Sequence, residues 1–184
     1  MKRLILTAAL ASLALHPSAA EDKPGLARRT FYISGLECAS CVYMAQQAIT
    51  ETKGVEQVEV VQMLDSFAKV AYDPARLSEH QIAQAVREAP PLHGMPYLAS
   101  LKLRVPAYAQ GDNAAKVKAL FARWSEWVEA IVMDERAGEL DIVFQPLVVK
   151  EGAKSPQGWR LALLDRELRG GLGLDYSVVK HDDP

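Results

Sequence analysis

Apolar residues recur at two periods along this chain, and the alternation between those periods predicts its elements. Residues 30–34 place Phe31 and Ile33 on one side, the period of a half-buried strand. From Val42 the spacing changes to Val42, Ala45 and Ile49, offsets of 0, 3 and 7, which is one face of a helix. Gly54 suits the left-handed conformation that ends such a helix. Residues 55–62 and 67–72 return to strand patterns, the second with Ala68, Val70 and Tyr72 on one face. Ser78 and Gln81 have capping-box spacing. Ile82, Ala85, Val86 and Ala89 form the stripe of a second helix, which Pro90 and Pro91 end. A further strand begins at Tyr97. The order is β-α-β-β-α-β, an α+β, ferredoxin-like sandwich.

The remainder repeats that order. Residues 101–105 are strand-like and Gly111-Asp112-Asn113 is a turn able to cap a helix. Val117, Leu120, Phe121 and Trp124 then fall at offsets 0, 3, 4 and 7. Residues 128–133 and 140–144 read as a hairpin around Ala137-Gly138. Ser155-Pro156 is expected to open a helix that Gly170-Gly171 closes, and residues 174–179 form a last strand. Val58 and Val128, like Val70 and Val143, lie roughly 70 residues apart, the mark of a structural repeat. Two tandem ferredoxin-like copies are therefore expected over 30–100 and 101–184, with residues 97–105 ending one sheet and beginning the next. The second copy is degenerate. It has no cysteine, and Pro106 to Asp112 stand where the first has its cysteine loop.

Composition changes the picture mainly at the N-terminus. Lys2 and Arg3, an apolar run from Leu4 to Leu15, and Ser18-Ala19-Ala20 have the layout of a secretory signal peptide over residues 1–20. Residues 21–29 then read as a flexible leader. An exported, periplasmic protein is expected, not membrane-spanning once the signal is removed. The net charge of -2 across 184 residues offers no basic excess for nucleic acid.

Both cysteines, Cys38 and Cys41, sit between the first strand and the first helix, spaced Cys-x-x-Cys. Unpartnered N–H groups at a helix start carry partial positive charge and favour thiolate over thiol. A disulfide closing so short a loop restrains little of an unfolded chain, so the pair reads as chemistry rather than as a staple.

Gly35-Leu36-Glu37-Cys38-Ala39-Ser40-Cys41, then Gly54-Val55 leading into Val58-Glu59-Val60, and the Val70-x-Tyr72-Asp73 strand end resemble the heavy-metal-associated domain. That family is the small module of copper chaperones, metal-pumping P-type ATPases and a periplasmic mercury-binding protein. The resemblance covers residues 30–99. It implies that Cys38 and Cys41 bind a soft ion, Cu(I) or Hg(II) first and Zn(II) as a further candidate, and exchange it with an incoming thiol. It implies no catalysis. The expected partners are a metal-transporting membrane protein or another metal-binding domain.

Three residues are accessory candidates. Glu37 stands directly before the first cysteine, where an acid resembles zinc- and cadmium-handling members; its competing reading is a solvated loop carboxylate. His93 and Met95 lie in an insertion between Pro90 and Pro96, and both are competent Cu(I) ligands. Their competing reading has Met95 packed on the core and His93 facing solvent. His80 is expected in an exposed helical turn, His181 in a charged tail, and Trp124, Trp127 and Trp159 in the core or facing a partner. Two other functions stay open: an interaction module on the same fold with an inert disulfide, and a thiol–disulfide oxidoreductase.

Overall fold

In the computed structural model residues 25–154 and 156–181 are described. The signal-peptide reading over 1–20 lies outside them. The chain runs β1 (Ala27–Ser34), α1 (Ala39–Thr50), β2 (Val55–Val61), β3 (Phe67–Tyr72), α2 (Glu79–Glu88), β4 (Leu98–Arg104), α3 (Asn113–Ala122), β5 (Val128–Asp134), β6 (Glu139–Phe144), α4 (Leu161–Leu164) and β7 (Ser177–Val178). All strands join one antiparallel sheet in the order β2-β3-β1-β4-β6-β5, with β7 also on β4. The first half is thus the expected α+β, ferredoxin-like arrangement.

Strand β4 is common to both halves. Its start pairs with β1, Ser100 opposite Tyr32, and its end pairs with β7 along the same edge, Leu103 opposite Val178. Its other edge belongs to β6, from Ser100–Val143 to Arg104–Glu139. The boundary placed between residues 100 and 101 therefore falls within a strand. The halves are joined by a shared ladder, not by a linker.

Alternation sorts the sheet into two faces. Phe31, Ile33, Val70, Tyr72, Leu101, Leu103, Ile142 and Phe144 point to the helices and belong to one continuous core. The opposite face carries Tyr32 beneath the Lys102 ammonium, 4.1 Å from the ring centroid. It also carries Phe67, against which the His181 ring stacks at 4.1 Å. His181, placed by sequence in a charged tail, packs on the sheet because Val179 N–H donates to the Lys102 carbonyl and turns the tail across it.

Several elements depart from the sequence reading. β1 begins at Ala27, inside the supposed leader, because residues 27–32 pair with β3. The last helix begins at Leu161 rather than near Pro156, and after Leu164 it widens into a π-helical turn over Asp165–Gly171. The final strand shrinks to two residues.

The larger correction is His80. It is fully buried, not exposed. Its Nε2–H donates to the Gln145 carbonyl at 2.8 Å, and its Nδ1 accepts the Trp159 N–H at 3.2 Å. Those two bonds require the neutral ring, and burial pushes its pKa down, with the Arg87 charge adding to the effect. Neighbouring side chains of α2 also bind second-half backbone. Glu79 accepts Leu161 N–H at 3.2 Å, Gln81 accepts Gln157 N–H at 2.9 Å, Gln84 accepts Leu147 N–H at 2.9 Å, and Arg87 donates to the Phe144 carbonyl at 2.6 Å. Gly158 makes the close approach possible. A Cβ there would lie 2.7 Å from His80 Nδ1, at a φ of +73°.

Candidate metal centre

The cysteine loop is shaped by Gly35, whose φ of +88° turns the chain out of β1 and whose missing Cβ admits the Tyr97 ring. Leu36 tucks into the core below the loop, and its carbonyl accepts a hydrogen bond from Gln62 Nε2 at 3.2 Å. Cys38 is the N-cap of α1, in extended conformation, and its sulfur accepts Cys41 N–H at 3.2 Å. Cys38 is half-buried, whereas Cys41, one turn into the helix, is buried. A cysteine here does what serine or aspartate does at other helix starts.

His93 comes from the loop between α2 and β4. Its Nε2 lies 3.4 Å from Cys38 Sγ. The donor atoms of Cys38, Cys41 and His93 all fall within 4.8 Å of one another, so three ligands converge on one point. Glu37 is exposed and its carboxylate is outside that cluster. Met95 is 71% exposed; it is neither packed on the core nor enclosed at the site. His93 is exposed as well, yet turned toward sulfur.

Tyr97 is the functional neighbour that sequence reasoning passed over as a strand residue. Its buried hydroxyl accepts Leu92 N–H at 3.2 Å, fixing the residue beside His93. The same hydroxyl hydrogen-bonds the Cys41 sulfur. Burial pushes the Cys41 thiol up, but hydrogen bonds from Cys38, Tyr97 and the Glu37 and Cys38 backbone outweigh it and hold the pKa at about 7. Cys38 moves the other way, chiefly because its S–H donates to Cys41. Above about 7 the pair thus keeps one proton between them. A soft cation entering there replaces that proton with a second metal–sulfur bond.

Residues 30–91 match the heavy-metal-associated domain family. That match covers about a third of the chain. Copper-transporting ATPase RAN1 of Arabidopsis thaliana is 30% identical over 122 residues, which is 65% of this chain. The chain spans only 12% of the length of that relative. Among solved structures, the N-terminal soluble domains of Bacillus subtilis CopA align with 86% of this chain and 97% of theirs, at 16% identity and a TM-score of 0.37. The water-soluble region of the same P-type ATPase aligns with 83% of this chain and 91% of its own, at 17% identity and a TM-score of 0.37.

The site is suited to metal binding. Two thiol sulfurs and an imidazole nitrogen form a soft donor set of low coordination number, brought together by the start of α1 and the loop between α2 and β4. No helix among the described residues is long and apolar enough to cross a membrane.

Proposed function

We propose that this chain captures a soft metal ion, Cu(I) in the first instance, and hands it on by ligand exchange without catalysing a reaction. The observation that carries the proposal is the convergence of Cys38, Cys41 and His93 within 4.8 Å, with the Cys41 thiol held at about 7. Cu(I) favours thiolate and imidazole at coordination numbers of two or three, which leaves room for an incoming thiol. Hg(II) meets the same thiolates. Zn(II) prefers four ligands and would need one more than this cluster holds. The copper-transporting relative supports Cu(I), and a metal transporter or another metal-binding domain as the recipient.

The residues before β1 support an exported location, where thiolates must be reduced or metal-loaded to persist. The decisive test is Cu(I) competition against a chromophoric chelator with the reduced chain lacking residues 1–20. Tight binding of one ion per chain, lost in Cys38→Ser, is the expected result. Absence of binding by the reduced chain would leave the fold as an interaction module, and turnover of an insulin disulfide would make the pair a redox centre.

A further inference from the structure

Strand β5 closes one side of the sheet, separated from β1 by β4 and β6, and no strand among the described residues pairs with its outer edge. Gln145 N–H donates to the Trp127 carbonyl at 2.9 Å, and the same antiparallel register runs from Val128 opposite Phe144 to Val132 opposite Leu140. Bonded and unbonded positions alternate along such a ladder. Glu129 and Ile131 therefore turn their backbone groups to β6, whereas Ala130 and Val132 turn theirs outward. Residues 126–135 contain neither Lys nor Pro, the usual guards of an exposed edge, and the bulge in β5 comes only after Val132.

Beside that edge the helix layer is open. A cavity of about 470 Å³ lies between α3 and β5, with Val117, Phe121 and Ala122 on its helix wall and Val128, Ala130 and Val132 on the strand. On the opposite face of β5, Ile131 and Met133 are 43% and 61% exposed. Side chains of a strand alternate between faces, so a strand laid along β5 would drop every second one under α3 and set the others beside Ile131 and Met133. It meets apolar surface on both of its faces.

Charge narrows the occupant. Residues 126–135 hold Glu126, Glu129, Asp134 and Glu135 and no base. None of the ion pairs among the described residues involves Glu126, Glu129 or Glu135. A second copy pairing through β5 would bring these acids together, and an anionic lipid surface would be repelled by them.

We propose that the outer edge of β5 receives an extended segment of another protein as an added strand. That segment carries apolar side chains at alternate positions, which enter the cavity under α3, and Lys or Arg between or beside them, which meet Glu126, Glu129 and Glu135. This surface belongs to the second half of the chain and does not depend on the metal-carrier reading.

The test is fluorescence anisotropy of a labelled peptide that alternates Val with Thr between terminal lysines, titrated with the full chain. Saturable binding is expected, weakened about tenfold when glutamates replace the lysines, and lost when the peptide's backbone amides are N-methylated. Ala130→Pro removes an outward N–H and leaves the β6 ladder intact, so it is expected to weaken binding about tenfold. Ala122→Leu fills the cavity from its helix wall and is expected to weaken binding as well. Hydrogen exchange on the unaltered chain reads the contact without any substitution. The Ala130 and Val132 amides should gain protection in the complex, while those of Glu129 and Ile131 stay as they were. No binding of the lysine peptide would overturn the proposal, as would equal binding of the N-methylated or the glutamate peptide. Protection confined to α3 would overturn it by making the cavity a pocket without strand pairing. A dimer of the chain abolished by Ala130→Pro would overturn it too, since the edge would then belong to a second copy.

Discussion

The loop after β1 and the loop after β4 hold the same place in the topology, each leading a strand into a helix, yet only one presents a donor set. After β1, Cys38 caps the helix with its sulfur and Cys41 lies one turn on. After β4, Asp112 precedes α3 with no side-chain cap bond, and Tyr108 is buried in the core. Its Cβ stands 3.0 Å from where a Cβ on Gly138 would lie, so the phenol fills the space beneath the β5–β6 hairpin. The fold supplies a helix start in both places. Residue identity decides whether that start becomes a site for an ion or a plug for the core.

The comparison breaks most easily at the sulfurs. Cys38→Ser or Cys41→Ser is expected to lower Cu(I) affinity roughly 1,000-fold, about 4 kcal/mol, in chelator competition. No second-half residue can compensate, because both cysteines of the chain are in this loop. Affinity kept in either variant would mean that the two loops do not differ in the way described.

Next in size is the junction between halves. His80→Phe removes both partners of buried backbone groups, the Gln145 carbonyl and the Trp159 N–H. A loss of about 3 kcal/mol of stability is expected from denaturant unfolding. Unfolding should remain one cooperative transition, since β4 and α2 belong to both halves. Two separated transitions would show the halves to be independent after all. The same histidine sets an acid limit. Its pKa is lower in the folded chain than in the unfolded one, so the unfolded state binds the extra proton first. Stability from this group is complete above the unfolded value and is lost as pH falls through the folded one. In His80→Phe that component of the acid dependence should vanish.

A smaller effect belongs to the third ligand. His93→Ala is expected to weaken Cu(I) binding about tenfold, about 1.4 kcal/mol, and to speed its release to a competing thiol. The smallest effect is in proton count. Above the Cys41 pKa of about 7 and below that of Cys38, which lies higher, loading one Cu(I) displaces one proton; below about 7 it displaces two. Affinity therefore rises with pH, more steeply on the acid side. Calorimetry in buffers of different ionisation enthalpy reads the number directly, and a constant count across neutrality would contradict the assigned order of the two thiols.

Much of this was legible in the chain. Period-two runs gave the six longer strands, and the Ser78–Gln81 capping box is present as read. Cys38 and Cys41 stood out because their spacing falls where the pattern changes from strand to helix. What escaped depends on distant partners. Nothing local marks His80 as buried, since Gln145 and Trp159 cover it from 65 and 79 positions away. Pro156 carries a helix-start signal, but the helix waits for Leu161, where Leu161, Leu164 and Leu168 reach the core. Tyr97 was hidden by its strand pattern. An aromatic residue at the head of the strand beside the cysteine loop was the available signal.

The central claim is that Cys38, Cys41 and His93 together hold one soft ion. Cu(I) X-ray absorption on the reduced, loaded chain tests it most directly. The account predicts two sulfur neighbours and one imidazole nitrogen, with the nitrogen absent in His93→Ala and the sulfurs retained. A spectrum of two sulfurs alone, the same in wild type and His93→Ala, would contradict it.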